Sequence, residues 1–278
     1  MSQLLDPDQE VFRATTRRYL EATSPITATR RLADDTDGFS RPWWKDGAAL
    51  GWTSFLVGEA LGGGTISGAG VADLALVAEE FGRLVAPGPL LGVNVAALAL
   101  SESAAPDRFA AVLAALVDGS TTAAWADEPY APGSGSTVVA RPEGEGLVLD
   151  GVAPAVKAGA QADHLVLTAG GPGGRYQVLV PARRAGLSCA PLRSVDVVRR
   201  FASVRLDNVV MAPEEILSGP GAAEIALERQ RQVAAVLALS EVQGATPCSP
   251  SPCGGCSTAT PSAAPSPRTR PSSTGRPT

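Results

Sequence analysis

The residues with the most obvious chemistry lie near the C-terminus. Cys248, Cys253 and Cys256 have the spacing C-x4-C-x2-C. A structural zinc site needs four ligands at paired spacing, and no fourth follows. The single histidine, His164, lies far away in a strand-like run. The reading is no metal site. Gly58 to Gly64, GEALGGG, is rich enough in glycine to cradle a phosphate. It follows no strand and lacks the lysine of a P-loop, so it reads as a plain loop. Glu128-Pro129 opens a turn-rich stretch, and Asp150-Gly151 has the composition of a tight turn between two strands.

Composition limits the partners. The chain has 278 residues, 23 basic and 28 acidic side chains, and a net charge of −5. Lys45 and Lys157 are the only lysines. Nothing in this balance attracts phosphates, so neither a nucleic acid nor a membrane surface is expected as a partner. The N-terminus MSQLLDPDQEVFRATTRRYL has no apolar segment of a secretion signal, and no apolar run reaches about 18 residues. Four cysteines make no disulfide framework in a chain of this length. The expected location is the cytoplasm.

The elements around these residues change character twice. Asp6-Pro7-Asp8 reads as a helix start, with Val11, Phe12, Thr16, Tyr19 and Leu20 on one face. Helices are also expected from Arg41 to about Gly51, Gly70 to Val85, Leu90 to Leu100 and Arg108 to Val117. Val71, Leu74, Val77, Ala78, Phe81, Leu84 and Val85 form the clearest buried stripe. From Thr121 the period becomes that of strands: 122–126, 137–141, 146–149, 164–168, 176–180 and 201–206. Trp125 reads as core of this β-domain. Helical character returns over 222–242, with Ile225, Ala226, Val233, Ala234, Leu237 and Ala238 on one face. The expected fold class is α+β. Residues 1–120 form an N-terminal helical domain, 121–213 a middle antiparallel β-domain, and 214–244 the first helix of a C-terminal helical domain. Residues 245–278 hold 8 of the 23 prolines and no acidic residue, the composition of a disordered tail.

Two stretches carry a family resemblance. A-D-E-P-Y-A-P-G-S begins at Ala126, and L-D-G-V-A-P-A-V-K-A-G-A-Q-A-D runs from Leu149 to Asp163. They resemble A-[LM]-T-E-P-x-x-G-S-D and L-N-G-x-K-x-W-I-T-N-G-x-x-A-D of the acyl-CoA dehydrogenases. W-x5-L-G-W at Trp44, E-E-F-G-R-L-V-A-P-G-P-L at Glu79 and V-R-L-D-N-V-V-M-A-P-E-E-I-L at Val204 are similar to the same family. The resemblance covers about residues 5 to 244. It implies FAD, an acyl-CoA thioester as substrate, and α,β-dehydrogenation with the hydride passing to the flavin. It also implies electron-transfer flavoprotein as a partner, and a homo- or hetero-oligomer at full length. In the family the proton-abstracting glutamate comes from the C-terminal helical domain, so no catalytic residue is assigned here. The motif glutamate Glu128 is read as structural.

The flavin-side positions depart from the family. The threonine of T-E-P is Asp127, and W-I-T is Ala155-Val156-Lys157. The resemblance implies Ala126, Asp127, Val156 and Lys157 as the cofactor-binding residues. Backbone groups of Ala126 and Asp127 remain able to contact an isoalloxazine ring. Lys157 pairs with a phosphate or with Asp127, or else both side chains face solvent. Such departures are similar to those of shorter subunits that pair with a catalytic partner.

The tail contains a second message. From Pro247 to Thr278, the last base of each codon can be read with the first two of the next. The codons then permit V-F-A-V-T-V-R-W-L-F-D-R-Y-S-F-G-R-P-L-A-S-Y-Q-A-L-K-H-R, one further residue, then A-D. R-x-x-F-G-R-P and Y-Q-x-x-K-H-x-x-A-D resemble the C-terminal domain of the same family. The expectation is a frameshifted, truncated member that does not turn over substrate as written.

Overall fold

The computed structural model describes residues 5–32, 35–127, 137–196 and 198–246. The Glu128-Pro129 turn, the three C-terminal cysteines and residues 247–278 of the tail expected to be out of frame lie outside the described residues.

Six α-helices come first: α1 (Pro7–Thr23), α2 (Ile26–Arg31), α3 (Arg41–Ala49), α4 (Gly70–Leu84), α5 (Leu90–Ser101) and α6 (Ala110–Val117). Asp6 caps α1 by accepting from the backbone of Asp8 and Gln9, and the Gln9 side chain accepts from the Asp6 backbone N–H in return. The expected face of α1 meets the core at Phe12, Thr16, Tyr19 and Leu20 and fails only at Val11. Gln9, Thr16 and Leu20 are buried, whereas Val11 is 66% exposed. Gln9 faces α4, whose Asp73 is fully buried and takes a 2.7 Å hydrogen bond from Gln9 Nε2. A buried polar pair thus adds to the apolar contacts of Phe12, Tyr19 and Leu20 in orienting α1.

Eight strands follow: β1 (Ala123–Ala126), β2 (Val138–Glu143), β3 (Gly146–Lys157), β4 (His164–Gly171), β5 (Gly174–Pro181), β6 (Leu187–Leu192), β7 (Phe201–Met211) and β8 (Ile216–Ser218). The sheet order is β6-β7-β3-β2-β4-β5-β8, with β1 added to β4. The pairing is mixed. β1 runs parallel to β4, a single parallel bridge joins β2 to β4, and the other pairs are antiparallel. The expected all-antiparallel domain is corrected at β1, which arrives from the helices instead of from a hairpin.

Asp150-Gly151 is not the turn its composition suggested. β3 runs straight through it, and the β2–β3 turn lies at Gly144-Glu145. Gly151 has φ +132° at a register shift between β3 and β7, and a side chain there would strike Thr137 O. The glycine serves a bulge that bends a long strand.

Two cores share the sheet. Trp44, Trp52, Leu74, Val77, Phe81 and Leu113 form the helical one, and Leu149, Leu165, Leu167, Val204 and Met211 that of the β-domain. Along β4 the pleat divides them: Leu165 and Leu167 face the β core, and Val166 faces the helices.

The last described helix, α7 (Ala222–Ala245), lies against α4 and also touches β5 and β8. Its inner face is Ala223, Leu227, Gln230, Val233, Leu237 and Glu241. Ile225, expected on that face, is 75% exposed. α4 and α7 approach until backbone meets backbone. A Cβ on Gly82 would lie 1.8 Å from Glu241 O, and one on Gly244 would lie 1.8 Å from Glu79 O. Among the described residues no helix is long and apolar enough to cross a membrane.

Candidate functional site

The expected cofactor residues sit where β1 and β3 end beneath α7. Ala126 and Val156 are buried in the β-domain core, so only their backbone is available. The structure commits the other two side chains to α7. Asp127 accepts a two-pronged ion pair from Arg231, with Nε at 2.7 Å and Nη2 at 2.9 Å. Such a fork fixes orientation as well as charge. Lys157 approaches Glu241 instead, at 3.9 Å. Arg231 and Glu241 are ten residues apart on one helix, roughly 15 Å along its axis. Asp127 and Lys157 therefore neither pair with each other nor project freely into solvent. Each has its own counter-charge on α7.

Next to the Arg231 tie lies a third. Gln177 on β5 and Gln230 on α7 exchange amide hydrogen bonds of 2.8 and 3.0 Å, and both are fully buried. Trp125 Nε1 donates to the same Gln230 oxygen at 3.0 Å. Trp125 packs on the helical core, not the β core expected of it, because successive β1 side chains alternate and Ala124 and Ala126 take the β side.

Glu241 is the hub at the far end. Its other oxygen accepts from Arg199 Nη2 at 2.6 Å, and Arg199 also reaches Asp196 at 3.1 Å. Burial pushes the Lys157 ammonium below the usual lysine range. Glu241 opposes that shift, Arg199 adds to it, and Asp196 opposes it. A cavity of about 240 Å³ opens beside Lys157, walled by Phe81, Val85, Val198 and Val242. A larger hollow of about 530 Å³ lies by Phe39, Arg41, Gln161 and Cys189 and contains none of the four expected residues. Arg41 there is already engaged, by Asp163 at 2.6 Å and Thr122 at 3.0 Å. Burial pushes the Cys189 thiol up, away from reactivity.

One edge of β1 carries no strand among those described. Among the described strands only β4 is hydrogen-bonded to β1, and β3 passes close to β1 without pairing to it. Ala155, at the tryptophan position of W-I-T, is exposed and presents only a methyl group. The Asp127 and Lys157 side chains beside this edge are turned to Arg231 and Glu241. Among the described residues, no group of three potential metal ligands converges.

The sequence profile of the acyl-CoA dehydrogenase N-terminal domain matches residues 6–120. Acyl-CoA dehydrogenase IpdE2 of Mycobacterium tuberculosis (strain ATCC 25618 / H37Rv) is 31% identical over 123 residues, 44% of this chain and 37% of that protein. The structure of the Tcur3481-Tcur3483 steroid ACAD G363A variant is similar at a TM-score of 0.72 and 28% identity, over 85% of this chain and 63% of that one. Residues 6–120 match the N-terminal domain of acyl-CoA dehydrogenases, and the fold as a whole is similar to theirs. A glutaryl-CoA dehydrogenase from Mycobacterium smegmatis in complex with FADH2 shares the fold, with a TM-score of 0.71 at 17% identity over 86% of this chain and 64% of that one. The chain thus spans less than two thirds of the length of each of these relatives.

Arg231, Gln230 and Glu241 are the residues of this seam that sequence reasoning passed over. A signal was present. Gln230 and Glu241 fall on the helical stripe of Leu227, Val233 and Leu237, where a polar side chain needs a buried partner.

Proposed function

We propose that the full-length protein serves α,β-dehydrogenation of an acyl-CoA thioester with FAD. The carrying observation is the edge of β1 beside β3, unpaired among the described strands, with α7 tied to Trp125 and Asp127 next to it. Backbone groups of Ala126 and Asp127 would hold the polar edge of the flavin ring, and Val156 and Ala155 would support its face. The flavin, when bound, accepts the hydride from the substrate β-carbon. This chain's residues contribute the wall, the exclusion of water and the placement of α7. Electron-transfer flavoprotein is the proposed acceptor of the electrons.

A second reading is favoured by the side chains: a non-catalytic subunit that completes a partner's flavin site. Two nearby carboxylates, Asp127 and Glu241, are both held in ion pairs, so neither is poised to remove an α-proton. One relative bears a double name, Tcur3481-Tcur3483, which accords with a two-chain assembly. In both readings the chain as written does not turn over acyl-CoA by itself.

The experiment is size-exclusion chromatography with flavin absorbance, on the chain alone and co-expressed with neighbouring homologous subunits. A yellow single-chain species supports the first reading. A colourless chain that becomes part of a yellow complex supports the second. A chain colourless in every combination overturns both. Dye reduction by the chain alone with an acyl-CoA would refute its inactivity.

A further inference from the structure

Lys157 is unusual in its surroundings. Its side chain is only 22% exposed, and among the described residues its Nζ makes no hydrogen bond. Its nearest carboxylate, Glu241, is 3.9 Å away and already holds Arg199 at 2.6 Å. The charges facing it are Glu241 from α7 and Arg199 and Asp196 from the segment before β7. The adjoining cavity of about 240 Å³ has Phe81, Val85, Val198 and Val242 as its apolar wall. A cavity below the roughly 300–1,000 Å³ of drug-sized sites suits a short alkyl chain.

We propose that Lys157 is a nucleophilic amine that takes an acyl group from a small thioester whose alkyl chain enters this cavity. A desolvated lysine beside another cation is a recognised way to keep the amine unprotonated, and here the partly apolar cavity wall and Arg199 act against the carboxylates of Glu241 and Asp196. The ammonium first gives one proton to Glu241 or to solvent. The neutral amine then adds to the thioester carbonyl carbon, and a C–N bond forms. The C–S bond breaks, and the departing thiolate takes the second nitrogen proton to leave as a thiol. The product is an amide on Nζ, and no oxidant or reductant is needed. Acylation removes the positive charge and so releases Lys157 from Glu241. The proposal rests on the acyl-thioester reading above only for the class of donor.

The test uses the purified 278-residue chain and S-hexanoyl-N-acetylcysteamine, a thioester without the CoA moiety. Lys45, exposed and the only other lysine, is the internal reference. Peptide mapping by mass spectrometry follows the acylation of both across a pH series. Lys157 should acylate about tenfold faster than Lys45 near neutral pH, as desolvated nucleophilic lysines do. Its rate should reach half-maximum at a lower pH than that of Lys45. Glu241→Gln removes a charge that stabilises the ammonium, so the Lys157 midpoint should fall further while that of Lys45 stays. Equal or faster acylation of Lys45, a Lys157 midpoint at or above that of Lys45, or a midpoint unmoved in Glu241→Gln overturns the proposal. Flavin content and dye reduction are separate readouts, so the dehydrogenase reading can fail while this one holds.

Discussion

Replacing Glu80 by glutamine tests the helical domain at its most heavily charged point. Glu80 is fully buried on α4 and receives three arginines: Arg13 at 3.0 Å, Arg17 at 2.7 Å and Arg83 at 2.9 Å. Burial raises its pKa, and hydrogen bonds from Arg17, Arg13 and Arg83 overcome that and bring it from 4.5 to about 2. A folded-state pKa below the unfolded one contributes stability above the unfolded value and loses it as pH falls through the folded value. The window here is pH 4.5 down to about 2. A displacement of this size corresponds to about 3 kcal/mol at 1.36 kcal/mol per unit. The arginines are 33–38% exposed, so water reclaims part of what they lose, and about 2–3 kcal/mol is expected. Urea unfolding followed by tryptophan fluorescence, on wild type and Glu80→Gln at several pH values, measures it. The difference should be constant from pH 7 to about 5 and shrink below 4.5. A difference under about 1 kcal/mol at neutral pH, or one that does not change with pH, refutes the reasoning.

Three further outcomes are expected. Gly82→Ala and Gly244→Ala should each cost about 1–3 kcal/mol by thermal unfolding, although alanine is the better helix former, because each Cβ meets the facing backbone; a stabilised variant would refute the close crossing. Asp127→Asn should cost about 1–2 kcal/mol and leave the far-UV spectrum unchanged, since it removes one half of a forked ion pair; a neutral effect would show the fork to be idle. Sequencing and frame-correcting the gene before codon 248 should give a longer, more soluble protein with further helix covering Ile225, Leu239 and Val242, which now face outward; a stop soon after the corrected frame opens would make the hidden peptide a coincidence of codons.

What was legible in the sequence had local causes. The Asp6 cap, α4 and β4 announce themselves through a capping residue, a 3.6 period and a run of β-branched and apolar residues. α2 has six residues and one buried side chain, too few to show a period. β6 has no fully buried residue, so it reads as loop until β7 pairs with it along its length. Asp150-Gly151 misled because a bulge and a turn need the same backbone freedom. The ties to α7 were out of reach for another reason. Asp127 and Arg231 are 104 residues apart, and nothing local distinguishes an ion-paired carboxylate from a solvated one. Val233 and Leu237 of the expected α7 face enter the helical core, while Ile225 of the same expected face is exposed.

The inner face of α7 explains why the departures at Asp127 and Lys157 must be judged together with that helix. Its apolar members Val233 and Leu237 enter the helical core. Its polar members Gln230, Arg231 and Glu241 each take a residue from the β-domain side: Gln177 and Trp125, Asp127, then Lys157 and Arg199. One helix therefore carries two registers, glycine contacts against α4 and charge or amide contacts against the sheet. Restoring the family's threonine at Asp127 alone would remove the carboxylate that receives the Arg231 fork, and restoring it at Lys157 alone would leave Glu241 with Arg199 as its nearest cation. Both are costly in a partly buried seam. The charges at the proposed flavin edge are thus matched to this chain's own α7. A substitution on one side of the seam must be matched on the other.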